Sequence, residues 1–269
     1  MIETRELILS EEQESYKPQT SVIEKNFKWI VAVVVLGLLA GGGNAVYKSQ
    51  LKKQEQEAYS KLYSAQKVYL EKKEAFQKES MMDLQKKPGD KTETKKTKTG
   101  DLTKDFGEVV SQLKSFIDQN PGKQATAQAA FYLFEIHKDY EKLGEAVDSI
   151  RTALKGMPEG LTTDLLQMTL GNSLAESDQC DEAVTHYQKV LYGKTIKYLK
   201  SEAGLRAGLC LEKMKQMDRA LDMYQKAIDA DPESQIAKTA EKYLRVLKTQ
   251  TNQSNSVTPA KETSPEGQS

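Results

Sequence analysis

Residues 207–232 read AGLCLEKMKQMDRALDMYQKAIDADP, and the stretch returns twice upstream in the same phase. Residues 170–195 read LGNSLAESDQCDEAVTHYQKVLYGKT, and residues 133–158 read LFEIHKDYEKLGEAVDSIRTALKGMP. Ala146, Ala183 and Ala220 are spaced by 37 residues. Four places after each stand Ile150, Tyr187 and Tyr224, and seven places after stand Ala153, Val190 and Ala227. Twelve places before each stand Phe134, Gly171 and Gly208, preceded by Leu133, Leu170 and Ala207. Pro158 and Pro232 close the first and third copies, while Thr195 takes that place in the second. One further step back meets Val109, Leu113, Phe116 and Pro121, the second half of another copy.

These offsets predict helical hairpins. A small residue twelve places before another lets two antiparallel helices approach closely across a short turn. The larger residues that follow fill the space against the next helix, and proline ends the second helix of the pair. The pattern resembles the tetratricopeptide repeat, normally 34 residues long, with three residues added in the connectors near 155–159 and 193–197. The third copy, with Gly208, Leu211, Ala220, Tyr224, Ala227 and Pro232, fits it best. The first fits least, having Phe134 where a small residue is usual. The last periodic stretch, 235–248, carries Ile236, Ala240, Tyr243, Leu244 and Leu247 and predicts the capping helix that a solenoid's open end requires.

Upstream, 29–47 reads WIVAVVVLGLLAGGGNAVY without a charge. At 1.5 Å per residue it spans roughly 28 Å, enough for the hydrocarbon layer. Trp29 and Tyr47 stand at its two ends, as interfacial rings do. A cleavable signal peptide is the competing reading. Residues 1–28, however, hold six carboxylates against four bases, whereas a signal's leading segment is short and positive. An uncleaved single-pass helix is the expectation, with Gly37 and Gly41 as small residues where another helix could pack. Flanking lysines nearly balance, with Lys17, Lys25 and Lys28 before the span and Lys48, Lys52, Lys53 and Lys61 after it. Charge therefore leans only slightly toward a cytoplasmic C-terminal side.

The sequence divides as 1–28, a polar tail; 29–47, the spanning helix; and 48–85, an amphipathic helix. Then come 86–105, a lysine-rich loop; 106–232, the repeats; 233–248, the cap; and 249–269, a tail expected to be disordered. In the amphipathic helix Ala58, Leu62, Ala65, Tyr69 and Phe76 recur at helical spacing but without a strict seven-residue repeat. That departure favours a helix pairing with the half copy at 106–121 over a coiled-coil stalk. The expected fold class is all-α: one N-terminal transmembrane helix, then a tetratricopeptide-like α-solenoid with a C-terminal capping helix.

Composition narrows function by exclusion. Thirty-nine basic residues balance 39 acidic ones, which argues against nucleic acid as the partner. No Ser-His-Asp, paired-carboxylate or Gly-Lys-Ser/Thr arrangement occurs, so no enzyme, cofactor or metal is expected. The two histidines, His137 and His186, lack neighbouring ligands at metal spacing and read as ordinary repeat-helix residues. The two cysteines could pair in an oxidising compartment, although free thiols are the expected state, since sequence cannot supply the distance.

In such repeats the first helix of each pair lines a concave groove. The expected lining is Phe131, Leu165, Met168, Asn172, Leu205 and Leu209, an apolar strip suited to a helix or an unfolded segment. The opposing possibility is that an extra N-terminal helix fills the groove. Only Asn172 suits a carboxylate clamp, so a free C-terminus is not the expected ligand.

The order of parts, from VVVLGLLAGGG to DFGEVVSQLKSFIDQNPGKQATAQAAFYLFEIHKDYEKLGEAVDSIRTAL, resembles the YfgM family of tetratricopeptide membrane proteins, which is ancillary to the bacterial SecYEG translocon. The resemblance covers roughly residues 20–230; the long lysine-rich loop and polar C-terminal tail depart from it. It implies a single-pass protein of the bacterial inner membrane, with a cytoplasmic N-tail and a periplasmic repeat domain. The implied partners are translocon subunits, periplasmic chaperones and unfolded clients. A cytoplasm-facing adaptor that sequesters a soluble regulatory protein is the alternative.

Overall fold

The computed structural model describes residues 20–85 and 98–256, and all the regular structure in them is helical. The helices are α1 (Thr20–Gln85), α2 (Leu102–Gln119), α3 (Gln124–Asp139), α4 (Leu143–Leu154), α5 (Leu161–Glu176), α6 (Cys180–Tyr192), α7 (Lys197–Lys213), α8 (Met217–Ala230) and α9 (Gln235–Ser256). The polar N-tail to 19, the lysine-rich stretch 86–97 and the C-terminal tail from 257 lie outside the described residues.

The chain divides into two compact units, Met1–Gln54 and Glu55–Ser269. In the first, the described residues are helical and leave Trp29, Val33, Leu36 and Tyr47 exposed. No helix among the described residues is long and apolar enough to cross a membrane. Gly37 and Gly41, named above for helix packing, lie outside the residues whose surroundings the structure describes.

The second unit is a row of antiparallel hairpins, α3–α4, α5–α6 and α7–α8, packed in sequence order. Its phase is written into the backbone. Glu141, Asp178 and Lys215, again 37 apart, have φ of 58°, 62° and 63°. Each follows the last turn of a first helix, and the next amide donates back to the carbonyl five residues earlier. These bonds are Lys142 N to His137 O at 2.8 Å, Gln179 N to Leu174 O at 2.8 Å, and Gln216 N to Leu211 O at 2.9 Å. They are three in-phase copies of the left-handed stop that caps a helix's orphan carbonyls.

Packing follows the same period. Tyr187 and Tyr224 are fully buried, and their rings lie against Gly171 and Gly208. In the first copy the two positions are filled by Phe134 and Ile150 instead, so a bulky residue has moved to the first helix and a smaller one to the second. The larger pair fits because Phe134 is only half-buried, whereas Ile150 is fully buried.

The half copy is completed from α1. Ala58, Leu62, Ala65 and Tyr69 of α1 are buried. The Tyr69 ring centroid lies 6.0 Å from that of Phe106 and 4.8 Å from that of Tyr132. Glu55 accepts the Ala125 amide at 2.8 Å and so caps the start of α3. At the other end α9 buries Ala237, Ala240, Leu244 and Leu247, and Tyr243 stacks on Tyr224 at 5.6 Å. This helix runs on to Ser256, beyond the end at 248 expected for it.

Two local features differ from the sequence reading. First, α2 begins at Leu102 rather than 106, because Asp101 caps it by accepting the Thr103 amide at 2.9 Å. One turn on, buried Asp105 accepts the amides of Thr99 and Gly100, the Thr99 hydroxyl and the Tyr140 hydroxyl. Second, the expected free thiols are corrected. Cys180 and Cys210 are both buried and form a disulfide, with Cα atoms 5.1 Å apart. The reason is antiparallel packing: the last turns of α7 return alongside the first residue of α6.

Candidate partner-binding groove

The groove positions are set by the 37-residue register on the first helices. It aligns Phe131, Met168 and Leu205, and one turn further on Glu135, Asn172 and Leu209. Leu165, on the turn before Met168, is 42% exposed, and Leu209 is 37% exposed. Met168 is only 5% exposed and belongs to the core. Phe131 and Leu205 are half-buried against that core. Asn172 is engaged, its amide oxygen accepting the Tyr187 hydroxyl at 2.9 Å; burial pushes that phenol up to about 12.

The helix α1 lies against α3, where the Tyr69 hydroxyl donates to Glu135 at 2.5 Å and Lys73 pairs with the same carboxylate. The possibility that an N-terminal helix covers the groove therefore holds for α3 and its Glu135. It leaves Leu165 and Leu209 exposed further along. Two apolar neighbours escaped the sequence reading. Leu161 and Tyr198 stand 37 apart at the starts of α5 and α7, and both are exposed. The same register would have found them one turn earlier.

Several charges on or beside these helices are paired within the domain. Lys138 pairs with Glu176 of the next hairpin at 2.9 Å, and Lys213 pairs with Asp178. Glu202 pairs with Arg206 at 2.8 Å, and Glu212 accepts the Tyr224 hydroxyl at 2.7 Å. Beside these pairs Leu161, Leu165, Tyr198 and Leu209 are left exposed. The histidines are occupied too. His137 is buried beside Ser149 at 3.3 Å, and His186 meets Gln167 at 2.5 Å. Burial, reinforced by a nearby lysine (Lys114 and Lys189 respectively), holds both imidazoles below their ordinary pKa. Among the described residues no group of three His, Cys, Asp or Glu could hold a metal ion.

A family described as a tetratricopeptide repeat-like domain matches residues 22–253. The chain belongs to that family. Its match takes in α1 through most of α9, so the long first helix is part of the tetratricopeptide repeat-like domain. Among solved structures, the chain is similar to the crystal structure of MamA at 16% identity. That match covers 60% of this chain and 99% of that one, with a TM-score of 0.36. It is also similar to BtubC from P. vanneervenii at 14% identity, covering 81% of this chain and 97% of that one, with a TM-score of 0.38. No curated protein matches the chain. Repeats of this class bind protein partners on extended concave surfaces, and this tetratricopeptide repeat-like domain exposes Leu161, Leu165, Tyr198 and Leu209 on its first helices.

Proposed function

We propose that this protein is a membrane-anchored, non-catalytic scaffold that captures protein segments through the open part of its groove. The observation that carries the reading is the contrast just described. Several charged groups of the first helices are paired, while Leu161, Leu165, Tyr198 and Leu209 stay exposed on the same helices. Such a strip suits an apolar helix face or an unfolded segment rather than a charged peptide.

The proposed setting is the bacterial inner membrane beside the Sec translocon, among periplasmic chaperones, with the 29–47 segment as an uncleaved anchor. Its support is the resemblance to the YfgM family, the exposed apolar side chains of the first unit, and the cysteines. A chain with only two cysteines that brings both together in its core is suited to an oxidising compartment. The N-tail then lies in the cytoplasm and the repeats in the periplasm.

Protease added to spheroplasts tests the setting, followed by isolation of full-length protein in mild detergent. A tail cut from outside, with translocon subunits or chaperones co-isolated, is the expected result. Loss of those partners from a Leu165→Asp, Leu209→Asp variant of unchanged helicity would tie them to the groove. A tail protected until lysis would overturn the orientation and restore the cytoplasmic adaptor.

A further inference from the structure

A second cavity lies away from the groove, at the edge where the hairpins are joined. Connectors meet there: a Cβ on Gly122 would stand 2.6 Å from the Gly156 carbonyl oxygen, so the α2–α3 and α4–α5 connectors touch. The next pair does not close. Between Gly160, at the end of the α4–α5 connector, and Gly193, at the start of the α6–α7 connector, lies a cavity of about 560 Å³. Both connectors are among those lengthened relative to a 34-residue repeat.

Asp164 lines this cavity. It is only 9% exposed, yet its carboxylate has no hydrogen bond or ion pair among the described residues. Its neighbours are satisfied: the Thr163 hydroxyl donates to the Pro158 carbonyl at 2.6 Å, and Gln167 meets His186 at 2.5 Å. Gly193 lets the backbone pass close over the acid, since a Cβ there would stand 3.6 Å from Asp164 Oδ1 and 2.8 Å from the Lys189 carbonyl oxygen. The Asp164 carboxylate, on the wall of an open cavity and without a protein donor, is free to accept one from outside. A carboxylate in need of donors is met best by a guanidinium or an ammonium.

We infer that this edge cavity binds one basic side chain of a protein partner, with Asp164 as its counter-charge. Glu159 on the lining adds a second acidic group, whereas Lys189 and Lys194 repel a run of basic residues. The site therefore takes a single Arg or Lys, at a place separate from the apolar strip.

Saturation-transfer NMR on the full chain in detergent tests this, with N-acetyl-arginine methylamide as the probe and its uncharged citrulline analogue as the control. The arginine probe should bind, the citrulline probe should not, and Asp164→Asn should weaken arginine binding at least tenfold. The Leu165→Asp, Leu209→Asp variant should bind the probe as the wild type does, which separates this site from the groove. The thermal midpoint of Asp164→Asn should stay within a few degrees of the wild type, because no contact of the carboxylate within the domain is lost. No binding of arginine by the wild type, equal binding of both probes, or undiminished binding by Asp164→Asn would overturn the proposal. A midpoint lowered by several degrees would do so too, by making Asp164 a structural cap.

Discussion

Gly208 on α7 and Tyr224 on α8 are fitted so closely that a Cβ on the glycine would stand 2.4 Å from the tyrosine Cε1. Tyr224 is fully buried, and its hydroxyl is held by Glu212 at 2.7 Å, so the ring has nowhere to retreat. Gly208→Ala gains about 1 kcal/mol of helix propensity. It also overpacks a closed core, at a cost of about 1–3 kcal/mol. The cost wins, and urea unfolding should show net destabilisation. The equivalent variant, Gly171→Ala against Tyr187, should behave alike.

The left-handed stops predict the opposite sign. Lys215 has φ of 63°, and its backbone conformation closes the α7–α8 turn. A side chain in that region costs about 1–2 kcal/mol, and glycine avoids most of it while losing more chain entropy on folding. Lys215→Gly should therefore raise stability by about 0.5–1 kcal/mol. The same unfolding assay reads it.

Asp105 anchors the chain between the lysine-rich stretch and α2. Burial alone would push its carboxyl up, but hydrogen bonds from Tyr140, Thr99 and Gly100 outweigh that and hold it below the usual carboxylate range. A folded-state pKa below the unfolded one stabilises the protein above the unfolded value, about pH 4. That contribution is lost as pH falls through the folded value. Asp105→Ala should cost about 2–4 kcal/mol at neutral pH. Asp105→Asn should flatten this part of the acid-side decline in thermal midpoint.

The hairpin fold was legible because its information is local. The offsets from Gly171 to Ala183 and Tyr187, and from Gly208 to Ala220 and Tyr224, encode both the close approach and the ring that fills it. What was missed depends on side-to-side placement. Cys180 and Cys210 meet only through the lateral register of α6 and α7, which spacing along the chain does not contain. Asp105 finds Tyr140 across 35 residues, and its other donors sit in a stretch that reads as loop. Helical phase aligned Met168 with Leu205, yet one is buried and the other half-exposed, because depth depends on the bulk of the neighbouring helices.

The disulfide closes a 30-residue separation, for which the loop-entropy relation gives about 3.6 kcal/mol. Protein taken from cell membranes under alkylating, non-reducing conditions should show no free thiol by maleimide labelling. Dithiothreitol, or Cys180→Ser with Cys210→Ser, should lower stability by about that amount. Two labelled thiols in protein from untreated cells would remove the support for an oxidising compartment.

Photo-crosslinking in living cells tests capture in the groove most directly. A photoreactive residue would be placed at position 165 or 209, and at position 148 as a control. Asp148 is well exposed on α4, a second helix of its pair. Crosslinks to protein partners from 165 and 209, with none from 148, are the predicted result. Equal crosslinking from all three positions, or crosslinks from 148 alone, would contradict an apolar groove as the binding surface.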